Sequence, residues 1–235
     1  MKYSPTVDVV VPCYNVEGII QKCVDSIISQ EYNNQFNVYL VNDGSTDSTL
    51  NILNTLSSYD NVHIINNHSN RGLSAVRNDG IVMGSSEIIC FLDSDMIVER
   101  DWIKTHVEVL VDKNVVGVVG DNVVPNKKIP NRLDQYLYDQ RRGARQFGEN
   151  VSIRFPYFLF SNTSIKRYVF DAIGVFDENI STYGGEDTDL AIRLWERFPH
   201  GLRYSKSAIS QHCSNKTMWD FQNSMYDYGK RNLPL

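Results

Sequence analysis

Asp93-Ser94-Asp95 follows directly on the apolar run 88–92. Two carboxylates two residues apart at a strand end can share one face and offer oxygen ligands to a hard divalent cation. Asp43, in Asn42-Asp43-Gly44, closes a second apolar run, and Glu186-Asp187 opens an amphipathic segment behind Gly184-Gly185. Taken singly, each has an ordinary explanation. Strand-end aspartates cap turns, Asp-Gly is a turn dipeptide, and carboxylates at a helix start suit the helix dipole. His212, taken alone, reads as a structural histidine. Three acidic clusters converging on one sheet edge are harder to obtain from turn chemistry, and together they point to a bound cation.

The elements that must position these residues alternate in the first half of the chain. Residues 7–11 form a short apolar run ended by Pro12, as expected of a buried parallel strand. Val16, Ile19, Ile20, Cys23, Val24, Ile27 and Ile28 recur at helical spacing, with Asn15 as the expected N-cap. Strands are expected at 38–41, 62–65 and 88–92, with helices at 45–58, capped by Thr46 or Asp47, and at 73–83. Short turns between alternating strands and helices imply right-handed crossovers and a parallel sheet covered on both faces. Beyond Asp95 the pattern predicts a helix at 102–111, a strand at 115–119 and a weakly periodic polar stretch at 125–155. An aromatic strand at 157–161, helices at 166–173 and 187–197, and an amphipathic segment at 217–230 complete the reading.

Ligands of an open parallel sheet bind beyond the carboxyl ends of its strands. Here those ends carry Pro12-Cys13-Tyr14-Asn15, Asn42-Asp43-Gly44 and Asp93-Ser94-Asp95. Neither GxGxxG nor GxxxxGK[ST] occurs, so no glycine-rich cradle awaits a phosphate. A nucleoside diphosphate bound here would need Mg²⁺ or Mn²⁺, held by the carboxylates, to neutralise it.

Composition limits the partners. The 235 residues carry a formal charge of −5, which gives no global attraction to nucleic acid or anionic lipid. No apolar run approaches the roughly 18 residues of a membrane span. The first eight residues lack the apolar core of a signal peptide. The four cysteines form no CxxC pair and are read as reduced. The expectation is a cytoplasmic protein, or the cytoplasmic part of a longer one, with no nucleic-acid partner and no transmembrane segment.

Several blocks, read together, resemble one family. Val10-Val11-Pro12-Cys13-Tyr14-Asn15, Asn42-Asp43-Gly44-Ser45-Thr46-Asp47, Asn70-Arg71-Gly72-Leu73-Ser74-Ala75-Val76-Arg77-Asn78 and Phe91-Leu92-Asp93-Ser94-Asp95 are similar to the motifs of family 2 glycosyltransferases. Asn162 with Ser164-Ile165-Lys166-Arg167, Ile173-Gly174-Val175-Phe176-Asp177 and Gly185-Glu186-Asp187-Thr188-Asp189-Leu190 continue the resemblance. It implies a single α/β domain of GT-A (Rossmann-like) fold, with a mostly parallel central sheet and helices on both faces. Residues 1–97 would bind a nucleotide-sugar and 98–235 the acceptor. It further implies an inverting transferase that takes a sugar from a nucleoside diphosphate sugar, a UDP-sugar favoured, to a saccharide or lipid-linked saccharide acceptor. Pro12, Tyr14 and Asn15 would line the base pocket, Asp43 would accept from the uracil N3–H, and Arg77 would sit near the base or diphosphate. Asp93 and Ser94 would meet the nucleotide. Asp95, with Asp93 and with His212 as a further ligand, would hold Mn²⁺ or Mg²⁺. Asp187 would be the general base, with Glu186 against the acceptor. The setting implied is polysaccharide biosynthesis, with peripheral contact at the inner face of the membrane.

The chain has neither the Gln-x-x-Arg-Trp motif nor the spans of the membrane-integrated synthases of this family. The run 226–235 resembles chains that continue onward, so a catalytic domain excised from a longer protein is expected. Two rival readings stand beside this one. Asp93-Ser94-Asp95 also approximates a haloacid-dehalogenase-type phosphatase, with Asp93 as covalent nucleophile. A non-catalytic nucleotide- or sugar-binding module would keep the fold without turnover.

Overall fold

The computed structural model describes residues 4–126, 128–149, 151–180, 184–214 and 216–231. The strands are β1 (Val7–Cys13), β2 (Phe36–Asp43), β3 (Val62–Asn67), β4 (Ile88–Leu92), β5 (Met96–Val98), β6 (Gly117–Val123), β7 (Asn162–Lys166) and β8 (Leu202–His212). The helices are α1 (Ile20–Ile28), α2 (Thr49–Leu56), α3 (Leu73–Met83), α4 (Trp102–Leu110), α5 (Arg132–Leu137), α6 (Tyr168–Ile173), α7 (Glu186–Arg197) and α8 (Met218–Arg231). One sheet holds the strands in the order β3-β2-β1-β4-β7-β6-β8-β5. β1 pairs in parallel with β2 and β4, β2 with β3, and β6 with β8. β7 runs antiparallel between β4 and β6, and β5 lies antiparallel to β8. The two halves of the chain therefore share one mixed, mostly parallel sheet.

Alternation along the strands divides the core into two layers, because successive side chains point to opposite faces. Val7, Val9 and Val11 of β1 and Ile88, Cys90 and Leu92 of β4 pack with α1, α2 and α4. Val10, Ile89 and Phe91 pack on the other face with α3, α6 and α7. Helices thus cover both faces, as the sequence pattern implies. The four cysteines are free thiols.

Three expectations change. α1 begins at Ile20 with Ile19 at its N-cap, and Asn15 stands outside the helix at φ 52°. The Asn15 side chain instead accepts from the Thr46 amide at 2.8 Å, which ties the β1 loop to the β2 loop. Residues 157–161 form no strand; a 3-10 turn at Phe155–Tyr157 precedes β7. The strand is the polar run Asn162-Thr163-Ser164, buried between β4 and β6. Its polarity is satisfied internally: Trp102 Nε1 donates to Asn162 Oδ1 at 2.8 Å, and Asn162 Nδ2 donates to the Ala208 carbonyl at 3.0 Å. β5 and β8 had no counterpart in the sequence reading. Among the described residues no helix is long and apolar enough to cross a membrane.

Candidate active site

The carboxyl ends of β1, β2 and β4 open on one side of the sheet, and the acidic clusters gather there. Asp43 ends β2, and its carboxylate accepts the backbone N–H groups of Arg71 at 2.7 Å and Gly72 at 3.0 Å. Gly44, at φ 68°, turns the chain so tightly that a Cβ would meet the Ser69 backbone at 2.6 Å, which restricts this position to glycine. Pro12 is buried at the end of β1, whereas Tyr14 and Asn15 are exposed beyond it. Tyr14, Asn15 and Asp43 therefore border the same edge.

Asp93 leaves β4 with its amide donating to the Ser161 carbonyl, and the Met96 amide donates back to the Asp93 carbonyl. Ser94 is buried in this turn. The turn delivers Asp95 to the head of β5, where β8 pairs Met96 with His212. That register brings His212 Nε2 within 3.0 Å of Asp95 Oδ2, while Nδ1 meets the Tyr138 hydroxyl. Burial alone would raise the Asp95 pKa, but the hydrogen bond and charge of His212 outweigh it and hold the carboxylate below its ordinary range.

Arg77 on α3 is the centre of the arrangement, with only 3% of its side chain exposed. Nη1 donates to Asp187 Oδ1 at 2.7 Å and to Glu186 Oε1 at 3.2 Å, and Nη2 lies 3.7 Å from Asp93. The guanidinium carbon stands 5.3 Å from the Phe176 ring centre and 5.8 Å from that of Phe160, within range of cation–π attraction. Arg77 is therefore enclosed among three carboxylates, not extended toward a base or diphosphate. Among the described residues, Arg77 Nε and Glu186 Oε2 are buried without a hydrogen-bond partner.

Asp187 and Glu186 occupy the first turn of α7, where the helix dipole favours negative charge. They differ in access. Asp187 keeps 20% of its side chain exposed and Glu186 only 5%. Asp187 Oδ2 also accepts from the Phe160 amide at 3.1 Å. Each carboxylate oxygen retains a further lone pair for an incoming hydroxyl. Asp189 turns away, held by Arg193. Burial, and then the Asp187 charge, push Glu186 up to about 7 against the attraction of Arg77. Asp93, although 38% of its side chain reaches solvent, is raised to about 6. Loss of water is the largest cause; Arg77 opposes it and Asp95 and Asp187 add repulsion.

Four carboxylates thus face one arginine and one histidine, an excess of negative charge that suits a divalent cation. Among the described residues no three His, Cys, Asp or Glu side chains are grouped closely enough to cage a metal alone. Asp95 and His212 offer an oxygen and a nitrogen at one point, with Asp93 nearby. Such a donor set fits a cation that completes its shell with phosphate oxygens. Sequence reasoning missed Tyr138 and Phe160, which hold His212 and Asp187. Tyr138 lies in the weakly periodic stretch and carries no local signal. A cavity of about 460 Å³ near Pro5, Ser86, Ile88 and Arg167 lies at the amino ends of β1 and β4, remote from these groups.

A family model for glycosyl transferase family 2 matches residues 8–174. The glycosyltransferase GlyA of Streptococcus pneumoniae is 39% identical over 156 residues, 65% of this chain and 22% of GlyA. The glucosyl-dolichyl phosphate glucuronosyltransferase of Haloferax volcanii is 28% identical over 245 residues, 97% of this chain and 77% of the relative. S. aureus TarS 1–349 shares the fold at TM-score 0.70 and 18% identity, over 94% of this chain and 63% of that one. The mannosyltransferase PcManGT of Pyrobaculum calidifontis, solved with GDP-Man and Mn²⁺, does so at TM-score 0.74 and 20% identity, over 100% and 66%. TarS 1–349 has also been solved with UDP and with UDP-GlcNAc. This chain spans less than two thirds of GlyA and of TarS 1–349. The family match displaces the phosphatase alternative, and with the motifs, the sheet order and the acidic cluster in agreement, the chain belongs to the family 2 glycosyltransferases.

Proposed function

We propose that this domain transfers a sugar from a nucleoside diphosphate sugar, with a UDP-sugar favoured, to a hydroxyl of a saccharide or lipid-linked saccharide, with inversion. The observation that carries the reading is the convergence of Asp43, Asp93, the Asp95–His212 pair and Asp187 on one edge of the sheet. Solved relatives of the same fold hold UDP, UDP-GlcNAc or GDP-Man, which supports a nucleotide-sugar donor.

In this reading the base stacks by Tyr14 and Pro12 with Asn15 at the rim. Asp43, whose oxygens each keep a free lone pair beyond the Arg71 and Gly72 amides, accepts from the base edge. Asp93 and Ser94 meet the ribose side. Asp95 and His212, with Asp93, would hold Mn²⁺ or Mg²⁺, which when bound supplies Lewis acidity to the departing diphosphate. Asp187 takes the proton of the acceptor hydroxyl as its oxygen bonds to the anomeric carbon. The bond from that carbon to the diphosphate oxygen breaks, and the nucleoside diphosphate leaves on the opposite face. Asp187 suits this role because it is the more accessible of the α7 pair. Buried Glu186 fits better as a support for Arg77 than as an acceptor contact.

The test is calorimetry of UDP, GDP and ADP binding with Mn²⁺ and with chelator, on the native chain and on Asp95→Ala. UDP binding that requires metal and is lost in Asp95→Ala is expected. Failure of all three nucleotides to bind would overturn the reading.

A further inference from the structure

α8 presents its apolar residues outward. At about 100° per residue, Met218, Trp219, Gln222, Met225 and Tyr226 share an arc of roughly 120° on the helix. Trp219 and Tyr226 are each 69% exposed, and Met218 and Met225 are also exposed. The protein side of the helix is instead the half-buried line Phe221, Ser224 and Tyr228. Phe221 meets the Tyr136 ring edge-on at 5.9 Å, and the Arg142 guanidinium lies 3.7 Å over that same ring. At the far end of α8, the Tyr228 ring packs so closely on Gly184 that a Cβ there would stand 2.5 Å from it. α8 therefore runs from the His212 end of β8 to the glycines that open α7. Its two ends thus lie near His212 and near the start of α7, which carries Glu186 and Asp187.

Charge on this side opposes that of the whole. Segments 128–145 and 216–230 carry seven Lys and Arg against four Asp, in a chain whose formal charge is −5. Lys230, four residues after Tyr226, lies exposed at one border of the apolar arc. Arg141 is also strongly exposed. Indole and phenol rings bordered by long cationic side chains suit the boundary between headgroups and acyl chains, where the rings sit and the lysines reach outward. A soluble polyanion would answer the cations but leave the apolar arc in water.

The geometry points to the outer face of α8, with the basic 128–145 segment beside it, as a docking surface for an anionic lipid bilayer. It would hold the acidic site at the membrane where a lipid-linked acceptor is presented. This deepens the acceptor end of the proposed function, but its readout is vesicle binding and not transfer. Its failure would leave donor binding untouched.

The experiment is flotation of the chain with phosphatidylcholine vesicles and with vesicles containing 30% phosphatidylglycerol, together with tryptophan emission. The expected result is binding to the anionic vesicles at least tenfold above neutral ones, weakened by salt, with a blue shift of emission. The shift should vanish in Trp219→Phe, because Trp102 is buried already and Trp195 packs against the core. Trp219→Ser with Tyr226→Ser should lose vesicle binding while keeping native UDP affinity and melting temperature. Equal binding of that double variant, or no binding to either vesicle, would overturn the proposal. So would a dimer in solution that protects Trp219 from quencher, or binding to a soluble polyanion without any change in Trp219 emission.

Discussion

Replacing Arg77 by Leu would test whether one buried cation holds the acidic cluster together. The substitution keeps apolar contact with Phe160 and Phe176 but removes the contacts to Asp187 at 2.7 Å, Glu186 at 3.2 Å and Asp93 at 3.7 Å. Removing one partner of a buried ion pair costs about 3–5 kcal/mol, because the remaining charges lose their compensation. At about 2–4 °C per kcal/mol for a chain of this size, the melting temperature should fall by about 6–20 °C near pH 8. The loss should depend on pH in a stated direction. Glu186 is already raised to about 7 while Arg77 opposes the shift, so without Arg77 its folded pKa moves higher still. A carboxyl whose folded pKa exceeds its unfolded value binds a proton more readily when folded. Its stability contribution is complete below the unfolded pKa and is lost as pH rises through the folded one. The deficit of Arg77→Leu relative to the native chain should therefore shrink between pH 8 and pH 5.5. Calorimetric melts of both proteins at the two pH values measure this. A variant within 2 °C of the native chain at pH 8, or an equal deficit at both pH values, would refute the reasoning.

Asp187→Asn should reduce kcat by about 10²–10⁴ while leaving UDP affinity within threefold, the signature of a lost general base; a kcat within threefold of native would move the base elsewhere. His106 is fully buried between Ser164 and Asn162, and burial lowers its pKa to about 4. Its neutral form is the folded one, so the unfolded chain binds the extra proton and stability is lost as pH falls from 6.5 toward 4. The loss should reach about 3 kcal/mol at pH 4, and His106→Gln should remove that portion of the slope in urea titrations across this range.

The sequence determined the order of the elements in the first half of the molecule, although α1 and α2 each begin four residues later than the pattern predicts, α2 with Ser48 rather than Thr46 or Asp47 at its N-cap. α3 and β4 fall where the pattern put them, and β1 and β2 differ only by longer ends. Local signals suffice there, because buried parallel strands are continuous apolar runs and each is followed by an amphipathic helix. The acidic candidates were also legible, since strand-end and helix-start positions fix where Asp43, Asp93, Asp95 and Asp187 emerge. Tertiary structure alone decided the rest. β7 is a polar run that no periodicity marks as a strand; it is buried because Trp102, His106 and Ser210 satisfy Asn162 from elements distant in sequence. The meeting of Asp95 with His212 depends on the pairing of β5 with β8, a register set across more than a hundred residues. Arg77 shows the same limit. Its place in a helix was readable, but its enclosure by Asp93, Glu186 and Asp187 follows only when β4 and α7 close on α3. Local sequence sets which groups stand at the ends of elements, while long-range pairing sets which of them meet.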